Sequence, residues 1–223
     1  MIITRRAFNA ALTFTGLAAA AGLSPLRLIG LAHAQSAQNA TAAEVAKPVS
    51  LPDMALGPKD APVTITEYAS MTCPHCARFA EEVFPKIKAA YIDTNKIRYV
   101  FREFPLDIKA AAGSMLARCI AKDDGSKYFA VIDMLFKQQE EWAGPKTTET
   151  LKLIGKQAGL SGQQVDTCLK DQALLDKIAA DQKYANEVLK VNSTPTFFIN
   201  GEKVTGEISF EEFDKKIKPL LKS

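Results

Sequence analysis

Two kinds of hydrophobic pattern divide the chain. Strand-like runs are few and lie toward the two ends of the stretch after residue 50. They are Val63-Thr64-Ile65-Thr66-Glu67-Tyr68, Ile97-Arg98-Tyr99-Val100-Phe101-Arg102 and Thr196-Phe197-Phe198-Ile199, each rich in β-branched or aromatic residues. The last is followed by Asn200-Gly201 and a short partner, Lys203-Val204-Thr205, and Asn-Gly between apolar runs predicts a hairpin. Between Asp107 and Val191 the apolar positions recur every three to four residues instead. That spacing predicts helices near 108–122, 127–141, 147–158, 162–170 and 172–190. Ser126 and Ser161 read as N-caps and Gly159 as a C-cap. A further helical stripe, Phe79, Val83, Ile87 and Ala90, follows the first strand, and Pro85 should kink it by removing a donor. A final helix starts at Ser209, where Glu212 completes a capping box, and runs to about Leu221. The pattern as a whole is a small α/β frame interrupted by a long helical block.

The first 34 residues follow another logic. Arg5-Arg6 precedes an apolar stretch from Ala10 to Leu23, and Ala32-His33-Ala34 offers a small-residue cleavage site. The apolar part is too short to span a bilayer. Residues 1–34 are therefore read as a signal peptide. Thr4-Arg5-Arg6-Ala7-Phe8 fits the twin-arginine type, and an ordinary secretory signal is the alternative. Residues 35–50, rich in Ala, Gln and Ser, read as a flexible leader, and 51–223 as one domain. The chain has 28 basic and 25 acidic residues. The signal holds three of the basic ones and none of the acidic, so residues 35–223 carry equal numbers of each sign. Nothing in that balance points to nucleic acid or an anionic membrane as a partner.

The chemistry concentrates in Cys73-Pro74-His75-Cys76. A strand, then CxxC, then a helix is the layout of a thioredoxin-like redox site. Cys73 would sit at the helix N-terminus, where free N–H groups and the dipole favour its thiolate. His75, as donor or cation, would favour it further. Cys76, one turn in, would be the buried resolving thiol. A stabilised thiolate stabilises the dithiol and makes the Cys73–Cys76 disulfide a stronger oxidant. Glu67, six residues before Cys73, is either a carboxyl beneath the disulfide that handles the proton of Cys76 or an edge-strand residue facing water. Cys119 and Cys168 remain over; in an oxidising compartment an even leftover pair points to a structural disulfide, with two inert buried thiols as the alternative.

Competing site chemistries fail on counting. His33 leaves with the signal, so His75 is the only histidine in 35–223 and a Cys–His hydrolase would have to use it. Cys119 and Cys168 are 49 residues apart, too far to complete a four-Cys zinc site by close pairs, and no metal is expected. Gly144-Pro145-Lys146-Thr147 lacks the upstream Gly of a phosphate loop. A structural disulfide or half of a zinc site at Cys73 and Cys76 is the bland reading.

Three segments, Glu67 to Cys76, Tyr99-Val100-Phe101-Arg102-Glu103-Phe104-Pro105 and Thr194-Pro195-Thr196-Phe197-Phe198-Ile199-Asn200-Gly201, resemble in order and spacing the DsbA family of exported thiol:disulfide oxidoreductases. The resemblance covers essentially all of the chain after the leader. It implies an α/β thioredoxin-like fold carrying a large all-helical insertion at about 107–191. It implies that Pro195 is cis and lies beside the CxxC, that Thr194 and Pro195 contact substrate, and that Pro74 belongs to the active site with Cys73, His75 and Cys76. It implies donation of the disulfide, without a cofactor, to reduced or unfolded exported proteins in the periplasm, and reoxidation by a membrane quinone-linked DsbB-type partner. Thr194 departs from the Val also common before that proline and is frequent in related isomerases and reductases. An isomerase or reductase on the same fold is thus the second reading, and a chaperone-like binding module with a structural CxxC the third. Only 28 residues separate the cleavage site from the first predicted strand. That is too few for an isomerase's dimerisation module, so a monomer is expected.

Overall fold

The computed structural model describes residues 41–47 and 49–222; the signal at 1–34 lies outside the described residues. Its elements are α1 (Ala42–Ala46), β1 (Met54–Leu56), β2 (Val63–Ala69), α2 (Pro74–Glu82), α3 (Phe84–Ile87), β3 (Ile97–Glu103), α4 (Ile108–Ala121), α5 (Gly125–Lys137), α6 (Gln139–Trp142), α7 (Thr147–Gln157), α8 (Gly162–Leu169), α9 (Gln172–Glu187), β4 (Thr196–Ile199), β5 (Glu202–Thr205) and α10 (Phe210–Leu220). A π-helical turn, Lys88–Ile92, continues α3. The five strands form one mixed sheet in the order β1-β3-β2-β4-β5. β2 and β3 are parallel, as a crossover through α2 and α3 requires, and the other pairs are antiparallel.

β2 is the middle strand and is buried along nearly its whole length. That is why its sequence mixes Ile65, Thr66, Glu67 and Tyr68 without clean alternation: neither face meets water. Its C-terminal end delivers the chain to Cys73. α2 then packs back onto the sheet through Phe79, whose ring lies 4.7 Å from Phe197 of β4 and 5.7 Å from Phe213 of α10. Pro85 breaks the helix as expected: α2 ends at Glu82 and α3 restarts at Phe84 with the proline in its first turn. The Asn200-Gly201 turn has φ of +46° and +91°, the double positive φ that a two-residue hairpin needs.

Between β3 and β4 the chain is helical from α4 to α9, a thioredoxin-like frame with an all-helical insertion. α4 is its axis, with α5, α7, α8 and α9 all packed on it. Its inner surface is built from small residues, including Ala110, Gly113 and Ala117, which let neighbours approach closely. Cys119 of α4 is joined to Cys168 of α8, with their Cα atoms 5.7 Å apart. Arg118 forms a buried fork on Glu103 at 2.5 and 2.7 Å, and Tyr128 donates to the same carboxylate at 2.7 Å. The insertion is thereby tied to the end of β3.

Three details differ from the sequence pattern. The start of the helix placed at 127–141 is capped by Asp124, not Ser126, its carboxylate accepting from the Lys127 amide at 3.0 Å. Gly125 follows because a Cβ there would come within 2.4 Å of the Ala55 carbonyl of β1. The same helix stops at Lys137 and restarts at Gln139, which turns Gln139 and Trp142 inward; the Trp142 indole donates to the Leu135 carbonyl at 2.7 Å. The described part of the 35–50 leader is not free chain. Thr41 and Glu44 form a capping box around α1, Val45 is buried, and Arg102 and Tyr184 donate to the Val45 and Glu44 carbonyls.

Replacing both Cys119 and Cys168 by Ala should lower unfolding stability in denaturant by about 4 kcal/mol, the chain-entropy value for a loop of this length. A loss under about 1 kcal/mol would contradict that role.

Candidate active site

Cys73 is the N-cap residue of α2 and Pro74 fills its first turn, where a missing N–H costs nothing. The Cys73 carbonyl accepts from the amides of Cys76 and Ala77, both at 3.1 Å, which fixes the tight turn between the two sulfurs. Both cysteines are buried, Cys76 completely. They are unbonded here, so the geometry is that of the dithiol state.

The loop before Cys73 is held from three sides. Ser70 accepts from the Thr72 and Leu106 amides at 3.4 and 3.3 Å. Thr72 donates to Asp107, the N-cap of α4, at 2.7 Å. Gln139, at the start of α6, donates to the Met71 carbonyl at 2.8 Å and to the Cys73 carbonyl at 3.1 Å. Helical spacing marks the region of Gln139 only as helix. Polar residues such as Gln139 and Asp107 carry no local signal for partners 68 and 35 residues away.

The two thiols are pushed in opposite directions. Cys73 is lowered from the ordinary thiol value to about 5. The largest cause is a hydrogen bond from Cys76; burial opposes it, and Thr194 and the Cys76 and His75 amides reinforce it. Burial, first of all, pushes Cys76 well above the usual range, and its bond to Cys73 and the Glu67 charge add to that. One proton thus stays on Cys76 while Cys73 ionises.

Thr194-Pro195 is a cis peptide bond beside the sulfur. As a thiol, Cys73 donates to the Thr194 backbone carbonyl at 3.3 Å, while the buried Thr194 hydroxyl has no partner. Ionisation reverses the sulfur's role from donor to acceptor, and the unpaired hydroxyl is then the donor that suits it. That is how Thr194 favours the anion.

Glu67 is buried in the central strand, not on a water-facing edge. Its carboxylate accepts from the Tyr99 hydroxyl at 2.8 Å. Burial raises its pKa to about 8 against the opposing pull of Tyr99, and the Cys73 charge adds to the rise. At neutral pH it is mainly protonated. Glu67 also lines a cavity of about 710 Å³ with Phe79, Phe84, Phe101, Phe129 and Lys88. A carboxyl near the buried thiol and open to a cavity can take or give a proton.

Apolar side chains lie exposed beside the loop that leads into Cys73, where Leu106 and Asp107 bond Ser70 and Thr72. Leu106 and Ile108 are 53% and 72% exposed on either side of Asp107. His75 is exposed and bonds Glu207 at 3.0 Å; Arg78 bonds the same carboxylate at 2.7 Å. Neither Arg78 nor Glu207 stood out in the sequence, because Glu207 lies 132 residues from His75 in an unpatterned loop. Among the described residues no group of three His, Cys, Asp or Glu side chains is arranged to hold a metal, and no helix is long and apolar enough to cross a membrane.

A Thioredoxin family model matches residues 50–219. A Rickettsia bellii protein named as a protein-disulfide oxidoreductase is 39% identical over 150 residues, which is 67% of this chain and 57% of that protein. The chain therefore spans somewhat more than half the length of such relatives. A Bacillus cereus protein named as disulfide bond formation protein D is 30% identical, with 75% and 78% of the two chains covered. Among solved structures, alpha-DsbA1 of Wolbachia pipientis is 34% identical with a TM-score of 0.74, covering 82% of this chain and 96% of that one.

Thiolate absorbance should titrate with a midpoint near pH 5 in the dithiol protein, against about 9 for an unperturbed thiol. A depressed pKa gives stability that is fully present above the unfolded value of about 9 and is lost as pH falls through about 5. Glu67→Gln should leave this midpoint in place, since Glu67 is already neutral there. A midpoint above pH 7 would contradict the site as described.

Proposed function

The chain belongs to the DsbA family of thioredoxin-like thiol:disulfide oxidoreductases, and from that premise we propose that it donates its Cys73–Cys76 disulfide to reduced exported proteins. The observation that carries this reading is the split between the two thiols: Cys73 low, Cys76 high, beside a cis-proline. A dithiol with a stabilised thiolate is the preferred state, so its disulfide is a strong oxidant.

The exchange runs in two displacements. A substrate thiolate attacks the Cys73 sulfur; a mixed disulfide forms and Cys76 leaves as a thiolate, which takes up a proton at once because its pKa is high. Glu67, protonated at neutral pH and lining a solvent cavity, supplies that proton and regains it from water. A second substrate thiolate then attacks the substrate's own sulfur and expels Cys73, a good leaving group because its thiolate is stable. The substrate ends as a disulfide and the enzyme as Cys73 thiolate and Cys76 thiol. Thr194 and Pro195 and the apolar Leu106 and Ile108 surface would receive unfolded chain, backbone against backbone at the cis-proline.

Residues 1–34 direct export, by the twin-arginine route on the strength of Arg5-Arg6, and the domain works as a monomer in the periplasm. A membrane quinone-linked partner of the DsbB type returns the dithiol to disulfide. Thr194 before the cis-proline, a residue frequent there in related isomerases and reductases, favours one second reading, an isomerase or reductase on the same fold.

Oxidised protein mixed with a reduced, unfolded model substrate should restore substrate disulfides stoichiometrically. Cys73→Ser should reduce the rate to background. Cys76→Ser, which has no active-site disulfide to donate, should do the same. Glu67→Gln should slow the exchange below pH 8 while leaving the Cys73 titration unchanged. If Cys73→Ser retains full activity, the oxidase reading fails.

A further inference from the structure

The segment between β5 and α10 carries a residue that reaches back across the redox site. Gly206, at φ +85°, donates its amide to the Pro195 carbonyl at 2.9 Å, so this loop is fastened to the cis-proline itself. Strand register adds to that hold, with Thr205 opposite Thr196. The next residue is Glu207. Its Oε1 accepts from Arg78 Nε at 2.7 Å, and its Oε2 lies 3.0 Å from His75 Nδ1. Arg78 Nη2 lies 2.9 Å from the same His75 nitrogen. Both α2 residues are in its first two turns, and His75 stands between the redox cysteines.

We infer that Glu207 is a positioning residue for the redox centre: its carboxylate clamps His75 and Arg78 of the CxxC helix to the cis-proline loop.

The chemistry of the three groups makes the clamp independent of where the proton sits. Arg78 can only donate, and ionised Glu207 can only accept. With a proton on Nδ1, His75 donates to Glu207. Without it, Nδ1 accepts from Arg78, which Glu207 still holds. His75 is therefore restrained in either case. A histidine that is 60% exposed would otherwise sample many rotamers around the sulfur. Restraint matters because the benefit of a cation or donor near the Cys73 thiolate falls with distance and disorder. Glu207 is itself an anion, and as bare charge it would work against the thiolate. Position and charge thus predict opposite effects of its removal, which makes the role testable.

The inference rests on the oxidoreductase reading only for its consequence, since the equilibrium is measured on Cys73 and Cys76 alone. The full chain and its variants are equilibrated with glutathione buffers and the fraction of dithiol is measured. Glu207→Ala should make the Cys73–Cys76 disulfide less oxidising by about three- to fivefold in equilibrium constant, the scale of a partly exposed ion pair. Glu207→Gln, which loses the charge but keeps an acceptor for Arg78, should stay within about twofold of the parent. In a His75→Ser background the Glu207→Ala effect should vanish. The clamp is overturned if Glu207→Ala has no effect, if Ala and Gln shift the equilibrium alike, or if the effect survives without His75. A variant that fails to fold would show itself in its unfolding transition, and Arg78→Gln, measured beside it, should then give a shift in the same direction. Failure of the parent to oxidise a reduced substrate would sink the proposed function and leave this comparison intact.

Discussion

A negative charge placed at the first turn of α2 is the constraint on which the rest of the structure depends. Sulfur at that position meets the Cys76 thiol, backbone amides of the turn and the Thr194 side chain, all of which favour the anion. Cys76, three residues on, is held protonated first by burial, then by its bond to Cys73 and the nearby Glu67. The asymmetry follows first from the hydrogen bond that Cys76 gives Cys73 and from burial of the inner sulfur, and the N–H groups at the helix N-terminus add to it. It also sets the direction of chemistry. The outer sulfur is the one attacked and leaves easily, and the inner one keeps its proton.

Much of the remaining fold serves to hold that turn still. The central strand brings the chain in, the Phe79, Phe197 and Phe213 cluster seats the helix on the sheet, and the insertion reaches the loop through Asp107 and Gln139. The insertion is in turn fixed to β3 by the Glu103–Arg118–Tyr128 cluster and stapled within itself by Cys119–Cys168. Arg102 and Glu103, adjacent in the chain, point to opposite tasks. Arg102 binds Asp53, Tyr68 and the carbonyl of Val45, so it gathers the N-terminal segment, while Glu103 gathers the insertion.

The strands, the helical block, the proline break and the hairpin turn were legible because each rests on local chemistry: β-branched runs, three-to-four spacing, a missing N–H, a double positive φ. The CxxC was legible for the same reason, since a helix N-terminus is a local feature. β1 was not, because three residues buried by an edge pairing carry no period. α1 was missed although its Thr41–Glu44 capping box was readable, because an Ala-rich composition masked it. Gln139, Arg78 and Glu207 could not be read at all. Their partners lie on other elements, and nothing in a polar residue's neighbours tells which distant carbonyl or ring it will meet. The burial of Glu67 was undecidable from the strand alone and was settled by the position of β2 between two others.

The central claim is that the dithiol state is stabilised by the Cys73 thiolate. The reduction potential of the Cys73–Cys76 pair tests it most directly. A value toward about −120 mV, the oxidising end that DsbA itself exemplifies, is what the account predicts. A value near about −270 mV, as in thioredoxin, would mean that the disulfide is the preferred state and would contradict it.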